Sequence, residues 1–532
     1  MVVASRGADD LWSHLIGNVL PDAAWETILY LSGVGVVTLA IGAGTAWLTA
    51  CHEFPGRRLL GWALLLPMAI PTYISAYAYM DVLHPVGPVQ SALRGLLGLT
   101  DPTALRLPDV RGLVGCILVT GLVLYPYVYI NARAAFTGQA ADGIWAARGV
   151  GASGLRLFLR IGLPLARPAI AVGLGLALME ALNDVGASEF LGVRTLTVSI
   201  YVTWLTRGSL EGAAQIALAL LLFVAVLLSI ERWGRRSVVF IGDPRPADPL
   251  RLEGWRAVAA TAACALPVLA GFVVPAAHLA WKAWERVRVF GLPADLGAWA
   301  ANSALYAGWA ALLTLALGLC LAFTARRGAG PWLRLGSLGY AMPGGVAAVG
   351  LIVALGWADD GLDAVSRLLT GRDSAWVFLG SGLALVIAYT IRFLAVPAGG
   401  LDAGYARLGA DFDSAARGLG CGPWRLITRI HVPLLRAPLV AAGLIVFVDA
   451  MKELPATLLL RPVNVETLAT ALYGEAVRGT YEDGAVAALT LILIAMLPAL
   501  LLAWTQNQPT RRSRPAPDAR AEPARAMRVL PA

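Results

Sequence analysis

Lysine is almost absent from this sequence of 532 residues. Its two lysines, Lys282 and Lys452, follow Trp281 and Met451. A loop that cradles the phosphates of a nucleotide ends in Gly-Lys-Ser or Gly-Lys-Thr, so neither lysine can belong to one. The sequence therefore excludes an ATP-hydrolysis site of the P-loop type in this chain.

Residues that carry catalysis or bind metals are also few and scattered. The sequence has no Gly-x-Ser-x-Gly motif, and His52-Glu53 lacks the second histidine of a zinc protease. The cysteines have no metal-binding spacing. The histidines are His14, His52, His84, His278 and His431, and the cysteines are Cys51, Cys116, Cys264, Cys320 and Cys421. We expect no catalytic residue, no metal site and no cofactor.

Charged residues are scarce as well, at 14% of the chain against 58% hydrophobic residues. Soluble domains have about 25% charged residues. Apolar runs of about 20 residues recur along the chain, and a run of that length can cross a bilayer as a helix. The net charge of +8 is spread over short loops rather than one soluble module, which argues against nucleic-acid binding. These features predict an all-α polytopic membrane protein.

The apolar runs predict eleven spanning helices, five in a first half (residues 1–240) and six in a second half (257–509). A linker is expected at 241–256, and the Arg-, Pro- and Ala-rich residues 510–532 are expected to form a disordered basic tail. The predicted helices lie near 28–49, 60–80, 112–135, 169–190, 213–231, 257–281, 302–324, 335–357, 376–397, 437–459 and 486–505.

Arginine placement predicts the orientation of these helices. Alternate loops are rich in arginine, whereas the opposite loops are mixed or acidic, with Asp359, Asp360, Asp363, Glu482 and Asp483. The positive-inside rule makes the arginine-rich loops cytoplasmic. The C-terminus is then cytoplasmic and the N-terminus external. Because the first half has one helix fewer than the second, we expect an opening helix to be absent or to lie upstream.

Two of the arginine-rich loops repeat one another. Residues 146–167 read AARGVGASGLRLFLRIGLPLAR, and residues 415–436 read AARGLGCGPWRLITRIHVPLLR. The two copies align without a gap at a constant offset of 269 positions, as from Gly151 to Gly420. Since both copies are predicted on the cytoplasmic side, the halves are expected to be parallel repeats about an axis along the membrane normal.

Each copy has the properties of a docking segment, within loops at 136–168 and 400–436. Paired alanines favour helix and allow another protein to approach closely. The glycines can end that helix, and the prolines are expected to break the chain before the next membrane helix. The residues concerned are Ala146, Ala147, Gly151, Pro164, Ala415, Ala416, Gly420 and Pro433.

This repeated pattern resembles the EAA loop of ABC importer permeases, although Trp145 and Ser414 stand where that family usually has glutamate. Segments such as Phe54-Pro55-Gly56-Arg57 and the run from Glu453 to Pro462 look most like the fused iron(III)-type permeases. Thiamine and phosphonate permeases are close relatives of that group.

The resemblance implies an inner-membrane transport subunit with ABC importer type I permease fold and no ATPase site of its own. It implies that a short coupling helix in each loop docks on a cytoplasmic ATPase subunit, which binds the ATP, and that one fused chain pairs with two ATPase copies. It also implies a periplasmic or extracellular binding protein that delivers the substrate, iron(III) first among the alternatives.

The helix after each loop carries ionisable residues at matching positions within the membrane. The sets are Glu180, Asn183 and Asp184, and Asp449, Lys452 and Glu453, again 269 positions apart. A charge in the bilayer centre costs at least about 2.5–3.5 kcal/mol, so it should face a partner or a water-filled path.

Two interpretations of these charges stay open. They line a translocation pathway or its outer gate, or they form a polar clamp between the halves, for example Lys452 with Glu180 or Asp184. An anionic lining suits ferric iron, which prefers hard oxygen ligands, and it suits thiamine equally. Tyrosines at helix ends, Tyr73 among them, are interpreted as membrane-interface anchors.

Segments on the outer side also correspond, from Thr195 to Tyr201 and from Thr467 to Tyr473, and are expected to form short surface or re-entrant helices. Two other classes of protein are considered. A secondary transporter driven by an ion gradient would give the twin loops no purpose, and an integral-membrane enzyme would need a catalytic constellation that the sequence lacks.

Overall fold

The fold is taken from a computed structural model of the chain. It describes residues 13, 15–99, 101, 105–138, 141–149, 151–152, 154–234, 249–337, 339, 342–373, 377–406, 408–409 and 411–506. The predicted tail at 510–532, the predicted boundary at 240 and the first part of the linker lie outside these residues. They stay predictions.

The described part of the first half is helical, as its apolar composition predicts. Its helices are α1 (Leu20–Cys51), α2 (Arg57–Ala63), α3 (Thr72–Val82), α4 (Pro88–Leu96), α5 (Leu113–Thr137), α6 (Ala141–Gly149), α7 (Gly154–Leu157), α8 (Leu163–Asn183), α9 (Gly186–Phe190), α10 (Leu196–Tyr201) and α11 (Leu210–Gly234). A 3-10 turn covers Leu66–Ala69, and π-helical turns cover Leu15–Val19, Phe158–Gly162 and Val202–Thr206.

The second half continues in the same manner. Its helices are α12 (Trp255–Val268), α13 (Val274–Phe290), α14 (Leu296–Arg326), α15 (Gly330–Ser337), α16 (Gly344–Thr370), α17 (Leu383–Phe393), α18 (Ala395–Ala406), α19 (Asp411–Gly418), α20 (Pro423–Leu426), α21 (Val432–Leu434), α22 (Arg436–Met451), α23 (Pro455–Leu460), α24 (Leu468–Arg478) and α25 (Tyr481–Gln506). Further π-helical turns cover Leu269–Val273 and Ile427–His431.

Seven helical segments of the described chain are long and apolar enough to cross a membrane, and three bent helix pairs qualify together, which gives up to ten candidate spans. The eleventh predicted segment, at 486–505, lies in the 26-residue helix α25. The helices predicted at 60–80 and 376–397 are not continuous. The first segment bends by 92° between Ala69 and Thr72, where Pro71 precedes the new helix, and the second bends by 42° near Leu394.

Three other predicted boundaries need correction. The helix predicted at 169–190 ends at Asn183, and the one predicted at 437–459 ends at Met451. The helix predicted at 335–357 lies instead at Gly344–Thr370. Asp359, which the sequence placed in an external loop, is therefore a helical residue. Its carboxylate accepts hydrogen bonds of 2.9–3.1 Å from the backbone of residues 377–379 and holds that loop on the helix.

Glycine allows the membrane helices to approach closely. A Cβ atom at Gly42 would lie 2.7 Å from Cβ of Val128, and one at Gly173 would lie 2.5 Å from the carbonyl oxygen of Tyr127. In this way α1 and α8 both pack on α5. Lipid provides no hydrophobic driving force for helix association. Close van der Waals packing at small residues stabilises these contacts instead.

Both repeated loops lie at one end of the helical bundle. Strands β1 (His52–Glu53) and β2 (Leu250–Arg251) pair in parallel beside the first loop. From there the chain crosses the bundle through Trp255–Phe290, 36 residues, and returns through Leu296–Arg326, 31 residues. At the end of that return Arg326 forms an ion pair with Asp413 of the second loop. Two crossings bring the chain back to the end from which it started.

Candidate functional site

The first repeated loop contains the short helix α6 and ends it with a left-handed glycine. Gly151 has a φ of +86°, and its N–H donates to the carbonyl of Arg148 at 2.9 Å. The N–H of Ala152 donates to Ala147 at 3.0 Å, which completes a glycine-terminated helix end. Ala146 is exposed and Ala147 is partly buried. The side chain of Trp145 lies outside the described part of the structure.

The second loop repeats this geometry with α19. Gly420 has a φ of +75°, its N–H donates to Arg417 at 3.0 Å, and the N–H of Cys421 donates to Ala416 at 3.0 Å. Ala415 is exposed and Ala416 is buried. The repeated sequence therefore encodes the same helix end in both halves.

Pro164 and Pro433 do not act alike, and the prediction that both break the chain needs correction. Pro164 lies inside a continuous helical segment, Gly154–Asn183. A π-helical turn at Phe158–Gly162 directly precedes Pro164, which lies in the first turn of α8. Proline is tolerated at that place, because the N–H that it lacks needs no intrahelical partner. Around Pro433 the same turn is followed by an 81° bend between Leu434 and Arg436.

The two loops are attached to the bundle by different chemistry. Asp413 of α19 accepts from Arg326 at 2.9 Å and lies 3.0 Å from His431, which also contacts the hydroxyl of Tyr405. Burial alone would raise the pKa of Asp413, but the hydrogen bonds from Arg326 and His431 outweigh it and hold that pKa below its usual range. The second loop is thus fixed by buried charge.

The first loop is held by aromatic packing instead. The ring of Trp47 lies 5.3 Å from the rings of both Phe136 and Phe158. Gly162, at the position equivalent to His431, makes room for this ring, because a Cβ atom there would lie 2.7 Å from Trp47. Ile144 of α6 is buried in the same cluster.

Apolar side chains project from equivalent positions after both glycines. Leu155 is 69% exposed and Trp424, its counterpart in the second copy, is 75% exposed. Both side chains are therefore accessible at matching places in the two loops.

The intramembrane residues that the sequence singled out meet at one cavity between the halves. Glu180, Asn183 and Asp184 and their counterparts Asp449, Lys452 and Glu453 all line it. The cavity measures about 90 Å³, which is room for several water molecules or a small ion. The membrane helices α8 and α22 end here, so the negative ends of their dipoles face the cavity region.

Two carboxylates cap the short helices that follow. Asp184 accepts from the N–H of Ala187 at 3.0 Å at the start of α9. Glu453 accepts from the N–H of Ala456 at 3.0 Å and from that of Thr457 at 3.1 Å at the start of α23. The helical path of each half therefore breaks after α8 or α22. It starts again at α9 or α23, whose first free N–H groups donate to the carboxylate.

Arg392 joins the halves and was not anticipated from the sequence. Its Nη1 atom lies 3.0 Å from Glu453 of its own half and 3.1 Å from the amide oxygen of Asn183 of the other. The N–H of Gly344 donates to that same oxygen at 2.6 Å. Arg392 lies within an apolar run, so the rule that an intramembrane charge needs a partner would have found it.

In the clamp suggested as an alternative, Lys452 with Glu180 or Asp184, the ammonium group of Lys452 is attracted by Glu180 of the other half. Its direct ion pair is with Asp449 of its own helix turn at 2.9 Å. Hydrogen bonds among Arg392, Asn183 and Gly344 add a second link between the halves. Tyr73, expected to be a membrane-interface anchor, is buried and lines the cavity.

The outer segments form the short helices α10 and α24, each started by a threonine cap, Thr195 or Thr467. A tyrosine from each reaches the opposite half. The hydroxyl of Tyr201 donates to the carbonyl of Pro455, and that of Tyr473 donates to Glu189 at 2.7 Å. These exchanged contacts close one side of the interface between the halves.

Among the described residues, no group of three or more His, Cys, Asp or Glu is close enough to hold a metal ion. Four carboxylates and two basic side chains nevertheless line the central cavity. If all are ionised, its lining has a net negative charge.

Comparison with known proteins agrees with this architecture. A family model described as binding-protein-dependent transport system inner membrane component matches residues 37–239. The molybdenum transport system permease protein ModB of Escherichia coli is 29% identical over 225 residues, 40% of this chain and 95% of that protein.

Two relatives extend along both halves. The Fe(3+)-transport system permease protein FbpB 2 of Haemophilus influenzae is 22% identical over 491 residues, 90% of this chain and 88% of that protein. The protein named "Probable ABC transporter permease protein y4fN" of Sinorhizobium fredii is 25% identical over 513 residues, 90% of this chain and 87% of that protein. Residues 37–239 therefore match a family of inner-membrane transport components, and both halves of the chain are similar to proteins named as ABC transporter or Fe(3+)-transport permeases.

Proposed function

We propose that this chain forms the translocation pathway of an importer powered by two copies of a cytoplasmic ATPase subunit. The docking sites are the helices Ala141–Gly149 and Asp411–Gly418 with the exposed Leu155 and Trp424 beside them. Their common end of the bundle, their matched glycine-terminated geometry and their exposed apolar side chains support this assignment. The C-terminus is assigned to the same, cytoplasmic side.

We propose iron(III) as the cargo, delivered by a periplasmic or extracellular binding protein to the interface of the halves. The observation that carries this proposal is the excess of carboxylates over basic side chains in the cavity between the halves. A hard cation prefers oxygen ligands, and the C-terminal ends of two helices add negative potential at the same place. The relative named for Fe(3+) transport spans 90% of this chain.

The anionic alternative cargoes fit the cavity less well. Thiamine is a cation, so the charge of the lining suits it as well as iron(III). An oxyanion such as molybdate or a phosphonate would need free basic groups. Arg392 and Lys452 are the basic side chains of the lining, and each already forms an ion pair, with Glu453 and Asp449.

The test is transport by the purified chain in proteoliposomes, together with its ATPase and its binding protein. We expect uptake of radioactive iron(III) that requires ATP and the loaded binding protein. Molybdate, a phosphonate and thiamine are offered in parallel vesicles. Uptake of one of these in place of iron would refute the proposed cargo but leave the transport role intact.

A second arm of the experiment tests the class of transporter. Vesicles without ATP but with an imposed proton or sodium gradient should take up no substrate. Uptake under those conditions would identify a secondary transporter and contradict the ATPase-coupled mechanism. Copurification of the ATPase with the chain, and its loss when Leu155 and Trp424 are both changed to aspartate, tests the docking sites directly.

A further inference from the structure

Asp184 and Glu453 occupy equivalent positions in the two halves, but their surroundings differ. Glu453 is 5% exposed, and both of its carboxylate oxygens are used. One accepts from Arg392 and from the N–H of Ala456, both at 3.0 Å. The other accepts from the N–H of Thr457 at 3.1 Å and from its hydroxyl at 2.9 Å. Glu453 therefore has a neutralising cation and a full set of donors.

Asp184 has no such complement. Its Oδ1 atom accepts from Ala187 and the side chain of Thr72 interacts with the carboxylate, while its Oδ2 atom is buried without a donor within hydrogen-bonding distance among the described residues. The residue is 6% exposed, lines the cavity and forms no salt bridge with any residue that the structure describes. A buried carboxylate oxygen without a protein donor is costly, so Oδ2 needs a water molecule or a cation from the cavity as its partner.

The neighbouring positions also differ between the halves. Asp449 is paired with Lys452 at 2.9 Å. Its counterpart Glu180 lies one helical turn before Asp184 and lines the same cavity, where it attracts the ammonium group of Lys452 from the other half. The position equivalent to Lys452 in the first half is the neutral Asn183, so the first half brings no cation of its own to the lining of this cavity.

We propose that Asp184 is the specificity-determining contact for a hard cation in transit, so that cargo binds on the first-half side of a symmetric-looking interface. This inference rests on the proposed cation cargo. Glu453, in contrast, is a structural cap that holds Arg392 and α23. A contact through a single carboxylate is weak enough to release the ion, as conduction requires.

The substitution Asp184→Asn separates cargo binding from helix capping. An asparagine oxygen can still accept from the N–H of Ala187, so the start of α9 is kept while the negative charge is lost. Asp184→Glu restores the charge. Glu453→Gln is the matched substitution in the second half, and Asp373→Asn, on an exposed loop, is the control for removal of a carboxylate.

Two measurements decide the proposal. The first is binding of terbium(III), a hard trivalent probe, to the chain in nanodiscs, read by luminescence sensitised through the cavity tyrosines Tyr73 and Tyr127. The second is ATP-driven iron(III) uptake in proteoliposomes. Loss of one charged contact should weaken terbium binding by about tenfold or more in Asp184→Asn, with uptake reduced in parallel. Asp184→Glu should recover both, and Asp373→Asn should match the original chain.

Glu453→Gln should instead lower the unfolding temperature more than Asp184→Asn does, because Arg392 loses its buried anionic partner. The proposal is overturned if Asp184→Asn binds terbium and moves iron as the original chain does, or if Asp184→Glu fails to recover either. In those cases iron(III) transport by the original chain would still support the proposed function. Uptake of an oxyanion, without uptake of iron(III), by the original chain would refute both the proposed cargo and the proposed role of Asp184.

Discussion

Arg392 and Asn183 come from different halves of the chain and meet at 3.1 Å inside the bundle, where the amide oxygen also accepts from the N–H of Gly344. The same guanidinium lies 3.0 Å from Glu453. Arg392 therefore links the end of α8 in the first half to the start of α23 in the second half. Movement of one half relative to the other changes this contact.

We predict that Arg392→Gln destabilises the protein strongly. Removal of one partner from a buried ion pair costs about 3–5 kcal/mol, because Glu453 stays buried without its cation. Thermal unfolding in detergent should show a clear drop in the midpoint. Arg372→Gln, on the loop after α16, is the control and should unfold like the original chain. Equal midpoints for both variants would contradict the role given to Arg392.

The left-handed glycines should be needed for the shape of both loops. Gly151 and Gly420 have φ values of +86° and +75°, and a Cβ atom at either would contact nothing within 4 Å. A side chain there costs about 1–2 kcal/mol through backbone strain alone. We expect Gly151→Val and Gly420→Val to reduce ATPase copurification and transport, each more than Gly149→Val or Gly418→Val, where φ is not positive.

The second loop should loosen when acid protonates Asp413. Hydrogen bonds from Arg326 and His431 hold the pKa of Asp413 below its usual range despite burial. A depressed carboxyl pKa adds stability above the usual value of about 4, and that stability is lost as the pH falls through the lower, folded-state pKa.

Hydrogen exchange can follow this difference, because α6 and α19 give separate peptides. His52 packs on Trp47 and titrates, so the comparison is made in a His52→Gln background. Acid should then raise exchange in α19 more than in α6, whose anchors Trp47 and Phe136 do not titrate. Asp413→Asn should reproduce the loosening at neutral pH. A uniform change in both helices, or none in α19, would contradict the assignment of a charge-based anchor to the second loop.

The exchanged tyrosine contacts should restrain the outer side of the interface. Tyr473→Phe removes the hydroxyl that donates to Glu189 at 2.7 Å but keeps the ring stacked on Phe190. We expect faster ATP hydrolysis without loaded binding protein, since less energy is needed to separate the halves. Loss of one hydrogen bond to a carboxylate, about 1.5–3 kcal/mol, predicts an increase of roughly tenfold. Tyr306→Phe is the control, and an unchanged basal rate in Tyr473→Phe would argue against a gate.

Much of the architecture was predictable, because lipid restricts the choice of structure. Each spanning segment must be a helix of sufficient length, so apolar runs located α1, α5, α11 and α14 closely. Boundaries failed where a helix stops inside the membrane. Asn183 and Met451 end their helices within apolar sequence, and the cause is capping by Asp184 and Glu453 of new short helices, which composition does not show.

The sequence by itself determined the class of protein, the twin loops with their left-handed glycines, and six of the residues that line the central cavity. It could do so because bilayer insertion and backbone conformation act locally, and an internal repeat displays equivalent positions side by side. Only the tertiary structure decided which acidic side chains form ion pairs with basic ones. Arg392 lies 61 positions before Glu453 and 209 after Asn183. Contacts at such separations depend on how the halves pack, so the difference between a neutralised Glu453 and an open Asp184 follows from folding and not from the repeat.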